Sequence, residues 1–152
     1  SENCIKFHGD FLPIGSAAIA AAHKSSVPIS VHLDHCEDFA IIQEALDIGF
    51  DSIMFDGSKL SFSENVSKSK KMANLCHQYG ATLEVEIGEI GGKDGNHAIG
   101  ARTDPEVARN FVNEVEADLV AVAVGSSHAM NTRDATLDFE LISTISKMVK
   151  IP

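Results

Sequence analysis

Tryptophan is absent from this 152-residue chain, tyrosine occurs once, and basic residues are scarce, with 12 Lys and Arg against 22 Asp and Glu. The resulting net charge of −10 and pI near 5.0 lack the basic footprint that nucleic acid or an anionic membrane surface requires, so neither is expected as a partner. No apolar run approaches the roughly 18 residues of a membrane span, and no signal-peptide pattern is visible. The expected location is therefore the cytoplasm. The chain opens on Ser1 rather than Met, so a native start is expected upstream. Cysteine is also sparse. Cys4, Cys36 and Cys76 are odd in number, far apart and in no CxxC pair, which argues against a disulfide framework or a cysteine-built zinc site and fits a reducing compartment. What remains, 44% apolar and 22% charged, is the composition of an ordinary globular chain. No low-complexity linker divides it, so residues 1–152 are expected to form a single domain.

The chain is organised around Val27-Pro28-Ile29-Ser30-Val31-His32-Leu33-Asp34-His35, an apolar run that ends in a carboxylate between two imidazoles. As a strand over 28–34 it places Ile29, Val31 and Leu33 on one face and Ser30, His32 and Asp34 on the other. Around it, strand and helix patterns alternate, the βαβ signature of a parallel sheet. Residues 1–13 read as loop and 15–24 as helix. Residues 39–48 show helical spacing and stop at Gly49. Residues 52–56 form a second strand. Ser61-x-x-Glu64 resembles a capping box and opens a helix running to about Tyr79, with Gly80 as its stop. Residues 82–87 form a third strand, with Leu83, Val85 and Ile87 on one face and Glu84 and Glu86 on the other. A glycine-rich loop covers 88–102, and Thr103-Asp104-Pro105-Glu106 starts the next helix with Pro in its first turn. Residues 119–124 read as a fourth strand, about 138–149 as the last helix, and Ile151-Pro152 as the start of a further strand. Four strands and five helices are too few to close an eight-stranded barrel, which takes about 200–250 residues. A small open doubly wound sheet is the alternative that the same alternation allows.

At the strand ends the polar residues recur: Asp34 and His35 after the first, Asp56 after the second, Glu86 at the third and His128 after the fourth. In α/β folds the C-terminal ends of strands carry ligand-binding groups. Two histidines and up to three carboxylates meeting there could hold a divalent ion such as Zn²⁺, but from the residues alone polar groups satisfied at a sheet edge are the favoured reading. His32 reads as a structural histidine that donates to a carboxylate such as Glu84, which in turn orients ligands from behind. Cys36 reads as a packing residue. Arg102 reads as a solvated loop charge in preference to a phosphate contact, and Lys6, His8 and His97 read the same way.

Taken together, Val-Pro-x-x-x-His-x-Asp-His (27–35), Phe-Asp-Gly-Ser (55–58), Glu-Val-Glu-Ile-Gly (84–88), Gly-Gly-x-Asp-Gly (91–95), Arg-Thr-Asp-Pro (102–105) and Ala-Val-x-Val-Gly-Ser-Ser-His (121–128) resemble the class II ketose-bisphosphate aldolases. These are the metal-dependent fructose-bisphosphate and tagatose-bisphosphate aldolases. The resemblance implies a partial TIM (β/α)8 barrel, about strands 3 to 6 with their helices, and lacking the first and last strands. It implies zinc-dependent cleavage of a ketose 1,6-bisphosphate to dihydroxyacetone phosphate and glyceraldehyde 3-phosphate by the full-length protein, in carbohydrate metabolism. By position, His35 and His128 match two of the family's three zinc histidines, and Asp34 matches the catalytic carboxylate that exchanges a proton with the substrate hydroxyl. Asp56 and Glu86 match acidic residues that hold an alternative or second divalent ion. Gly125 and Ala129 match positions that help hold a monovalent cation and the substrate phosphate. A homo-oligomer, dimer or tetramer, is the further implication.

Departures are visible. The third zinc histidine belongs to a His-Gly-x-Ser-Gly segment expected after Pro152, so the 152 residues alone are expected to be inactive. Ala129 replaces the Gly that usually follows the second zinc histidine. Lys93-Asp94 stands where the family often has a Glu pair, which leaves Asp94 or His97 as the loop acid/base candidate. A catalytically inactive, divergent sugar-phosphate-binding barrel is the alternative reading.

Overall fold

A computed structural model describes residue 5 and residues 7–88, 101–128 and 136–152. In chain order these form α1 (Leu12–Lys24), β1 (His32–Cys36), α2 (Phe39–Ile48), β2 (Ser52–Phe55), α3 (Phe62–Gln78), β3 (Thr82–Glu86), α4 (Pro105–Glu114), β4 (Leu119–Ala121) and α5 (Phe139–Met148). The strands make one parallel sheet in the order β1-β2-β3-β4. A sheet that never reverses its order has right-handed crossovers that put its helices on a single face. That arrangement is an arc of a (β/α)8 barrel. It excludes the doubly wound sheet, which needs a reversal of strand order to cover both faces.

Local chemistry sets the element ends. Asp38 caps α2 by accepting from Ala40 N–H, and Gly49 ends it in the left-handed region at φ 102°. Ser61 and Glu64 complete both halves of a capping box on α3. Asp104 accepts from the N–H groups of Glu106 and Val107 ahead of Pro105 on α4, and Asp138 accepts from Leu141 N–H to start α5. The largest differences in strand boundaries from the sequence pattern are at the start of β1 and the end of β4. β1 begins at His32 rather than 28, because Pro28 has no N–H to donate and the Val31 N–H is taken by the Asp51 carboxylate at 2.8 Å. β4 ends at Ala121 rather than 124. Beyond it Ala123 exchanges hydrogen bonds with Thr103, and Val124 bridges Arg102 in antiparallel fashion. The first helix also starts earlier than the pattern suggests, at Leu12, with Pro13 in its first turn.

The core lies between sheet and helices. Leu33, Cys36, Ile42, Ile53, Leu83, Val85 and Phe111 are all exposed by 1% or less. Cys36 and Cys76 are buried, and burial pushes the Cys76 thiol up to about 12. The other sheet face carries His32, Asp34, Glu84 and Glu86. At the free edge of β4, the Val120 N–H donates to the Pro152 carbonyl, which runs alongside as a neighbouring strand would. No described helix is long and apolar enough to cross a membrane.

Because one face supplies the packing energy, Leu83→Ala is expected to destabilise the chain by about 2–5 kcal/mol. Ser61→Ala, which removes only a cap, is expected to destabilise it by about 1 kcal/mol. Urea denaturation followed by circular dichroism measures both.

Candidate metal centre

Three adjacent parallel strands deliver one ligand-type side chain each to the same point. His35 comes from β1, Asp56 from the residue after β2, and Glu86 from the end of β3, and one donor atom of each lies within 4.8 Å of the others. The His35 Nδ1 is 2.9 Å from Asp56 Oδ2 and 3.3 Å from Glu86 Oε2, and its Nε2 is 3.8 Å from Asp34 Oδ1. Asp56 and Glu86 are buried, whereas the Asp34 side chain is 59% exposed at the mouth.

Period-two alternation cannot place Asp34 and His35 on the same side of a strand. A β-bulge does it. Leu33 pairs with Ile53 and Cys36 with Phe55, so Asp34 and His35 together stand opposite the single residue Met54. His35 takes φ 44°, and no other described non-glycine residue has a positive φ. The extra residue swings the His35 ring to the mouth and returns Cys36 to the helix-facing core, fully buried. The sequence carries a trace of this in its buried apolar positions, which step by three from Leu33 to Cys36 where a regular strand steps by two.

Asp56 is held for its task. Its Oδ1 accepts from the Ser58 N–H at 3.1 Å and the Ser58 hydroxyl at 2.6 Å, which leaves Oδ2 toward His35. Glu86 is held through its backbone, where its carbonyl accepts from the buried Asn65 Nδ2 at 2.9 Å and Ser69 fixes the other end of that amide. Gly57 leaves the space, since a Cβ there would fall 2.1 Å from Asn65 Oδ1. Asn65 escapes a sequence reading because a lone polar residue in an amphipathic helix gives no sign of facing inward.

The His128 ring meets the His35 ring edge-on, with centroids 4.9 Å apart and planes at 81°. Its Nε2 is buried and has no hydrogen-bond partner among the described residues. Gly125, three residues earlier, sits at φ 111°, where a Cβ would lie 2.3 Å from the Thr136 carbonyl oxygen and 2.9 Å from Arg102 Cζ. Arg102 pairs with Asp138 at 3.1 Å, which ties the chain before α4 to the start of α5. Ala129, Asp94 and His97 lie outside the described residues.

Imidazole nitrogen and carboxylate oxygen are the donors that divalent zinc takes, and a buried imidazole nitrogen without a partner is what a metal ligand looks like before it is loaded. The residues present therefore fit such an ion. In its absence the His35 proton serves as the local cation. Hydrogen bonds to Asp56 and then Glu86 raise the imidazole to about 10, against burial, with the Asp34 charge adding to the rise. A raised histidine stabilises the fold fully below its unfolded value of about 6.5 and loses that contribution as pH climbs through its folded value. In the metal-free chain, the His35 ring resonances are thus expected to stay flat from neutrality to pH 9 and to titrate near 10. Nuclear magnetic resonance with a chelator present measures this.

Comparison with known proteins gives consistent relatives. The whole chain, residues 1–152, matches the family described as fructose-bisphosphate aldolase class-II. A sulfofructosephosphate aldolase from Alkalicoccus urumqiensis is 37% identical over 131 residues, covering 84% of this chain and 46% of the relative. The crystal structure of the YdjI aldolase from Escherichia coli K12 superposes with a TM-score of 0.78 at 31% identity, covering 92% of this chain and 49% of that one. A fructose-bisphosphate aldolase from Campylobacter jejuni shares the fold, with a TM-score of 0.67 at 23% identity, over 91% of this chain and 46% of its own. The chain spans about half the length of the relatives it matches.

Proposed function

Because this chain belongs to the class II fructose-bisphosphate aldolase family, we propose that the whole protein is a zinc-dependent aldolase. It cleaves a ketose 1,6-bisphosphate to dihydroxyacetone phosphate and glyceraldehyde 3-phosphate, and runs the condensation in reverse. The observation that carries the reading is the meeting of His35, Asp56 and Glu86 within 4.8 Å, with the exposed carboxylate of Asp34 beside them. His35 and His128 would hold the ion, with Asp56 and Glu86 as further or alternative ligands. A bound divalent ion supplies Lewis-acid polarisation of the substrate ketone, the role that a Schiff-base lysine fills elsewhere.

The protein's own groups do the rest. Cleaving the bond between C3 and C4 requires the C4 hydroxyl to give up its proton while the bonding pair moves toward the ketone. Asp34 Oδ is the base for that proton, since its side chain is open to the mouth and its other contact is the His35 ring. In condensation the same carboxylic acid returns the proton to the forming hydroxyl. Asp56 and Glu86 keep the His35 ring oriented through Nδ1. Gly125 and Ala129 are assigned to the substrate phosphate and a monovalent cation. Asp94 or His97 is assigned to the proton exchanged at C3. Residues 1–152 constitute one incomplete barrel domain in this reading, and the whole protein is a cytoplasmic homo-oligomer, dimer or tetramer.

A second reading, a barrel that binds a sugar phosphate without turnover, draws on Ala129 and on Lys93-Asp94 in the loop. Turnover by the full-length protein eliminates it.

The test is aldol cleavage by the full-length protein with fructose bisphosphate, tagatose bisphosphate and sulfofructose phosphate, each with and without chelator. The last substrate follows from the name of the Alkalicoccus urumqiensis relative. Activity lost to chelator and restored by zinc is expected, while chelator-resistant turnover overturns the metal reading. Asp34→Ala is expected to lower kcat by about 10²–10⁴ without changing metal content. His128→Ala is expected to lose both.

A further inference from the structure

Directly beneath the group of His35, Asp56 and Glu86 lies a second polar group drawn from the same three strands. His32 of β1 bonds through Nδ1 to the Ser52 hydroxyl of β2 at 2.8 Å, and its Nε2 stands 3.6 Å from Glu84 Oε2 of β3. His32 and Ser52 are directly paired in the ladder, and Glu84 lies two residues before Glu86 on the same face. One side chain from β1 thus touches both of the strands that supply the carboxylates. The other contacts at the start of β1 come from the Asp51 carboxylate, which accepts from the Ser30 hydroxyl and the Val31 backbone N–H, and from the backbone bonds of the ladder. The β1–β2 register breaks immediately above, between Leu33 and Cys36. The last contact specific to a side chain before the bulge is therefore the one His32 makes.

We propose that His32 is a positioning residue: by tying Ser52 and Glu84 one layer below the centre, it sets where the β1 bulge falls and how far apart the three ligand-bearing strands stand. It touches neither the ion nor the substrate. Without the tie only the Asp51 contacts hold the start of β1, and a one-residue slip of the strand would turn His35 away from the centre. The pairing with Glu84 also keeps that carboxylate below the centre, so that β3 offers the centre Glu86 alone. This inference rests on the metal-centre reading for its consequence, but its structural half can be measured without metal.

The experiment compares the full-length protein with His32→Asn, whose amide occupies the place of Nδ1 and keeps the Ser52 bond, and with His32→Leu, which fills the space and keeps neither contact. The metal-free readout is hydrogen exchange of the Asp56 amide, which donates to the Cys36 carbonyl at 2.9 Å just above the bulge. The second readout is a Co²⁺ titration followed by visible absorption, which reports ligand geometry. His32→Leu is expected to speed Asp56 exchange by about tenfold. It is also expected to weaken Co²⁺ by about 10–100-fold with an altered absorption spectrum. His32→Asn, which keeps the Ser52 bond but not the Glu84 contact, is expected to fall between wild type and His32→Leu in both. Should His32→Leu not fold, Ser52→Ala removes the same bond from the other end and is expected to reproduce its pattern. Wild-type exchange and wild-type Co²⁺ spectra in His32→Leu, or His32→Asn as impaired as His32→Leu, overturn the proposal. If the full-length wild-type protein takes up no Co²⁺, the metal reading falls, and the exchange comparison still decides the role of His32.

Discussion

Three carboxylates held around one imidazole are a repulsive arrangement unless a positive charge sits among them, and the rest of this structure follows from maintaining that arrangement. The carboxylates of Asp56 and Glu86 are buried, and Asp34 approaches from the solvent side. Buried acids of like charge ordinarily take up protons or move apart. Here Ser58 holds Asp56 and Asn65 holds the Glu86 backbone, so the two do not move apart. The His35 proton supplies that positive charge, and in the proposed function a divalent ion would take its place. That exchange is the physical link between an apo state and a loaded one.

Parallel topology makes the convergence inexpensive in chain length. Strands β1 to β3 are neighbours in sequence and in the sheet, and each ends on the same side, so three residues far apart in number meet without any long loop. The same topology limits what a regular strand can contribute, one inward residue in two. The bulge at Asp34 and His35 overcomes that limit and allows one strand to present both a candidate base and a candidate ligand. Its cost is a positive φ at a β-position, tolerated because Leu33 and Cys36 clamp the strand on either side of it.

Much of this was legible from the residues. The helix starts were, because Ser61 with Glu64, and Asp104 ahead of Pro105, are local devices whose chemistry acts within a few residues. The strand ends that carry Asp34, Asp56 and Glu86 were legible for a similar reason, since short apolar runs mark strands, whereas alternation alone put His35 on the opposite face and His128 lies well beyond the end of β4. Less was legible where the decisive partner is remote. Pro28 to Val31 looks like strand, yet Asp51 captures the Val31 N–H. Residues 122–124 look like strand, yet they leave β3 to meet Thr103 and Arg102. Asn65 and Gly57 form a fitted pair across a loop, a match that spacing does not announce.

The division between the two faces of the sheet explains why the site tolerates so much polarity. Stability comes from the helix-facing side, where Leu33, Ile53, Leu83, Val85 and Phe111 are packed out of water. The interior of a (β/α)8 barrel is usually filled in layers by branched aliphatic side chains. Here the inner layer carries His32, Ser52 and Glu84 instead, which bury less apolar surface but bond in fixed directions. An aliphatic layer fills volume and leaves relative strand position to shape alone. A hydrogen-bonded one specifies position to a few tenths of an ångström, the precision that ligands on three separate strands need if they are to act on one ion. Exchanging packing energy for position beneath the centre is therefore consistent with a fold whose helices already supply enough of the former.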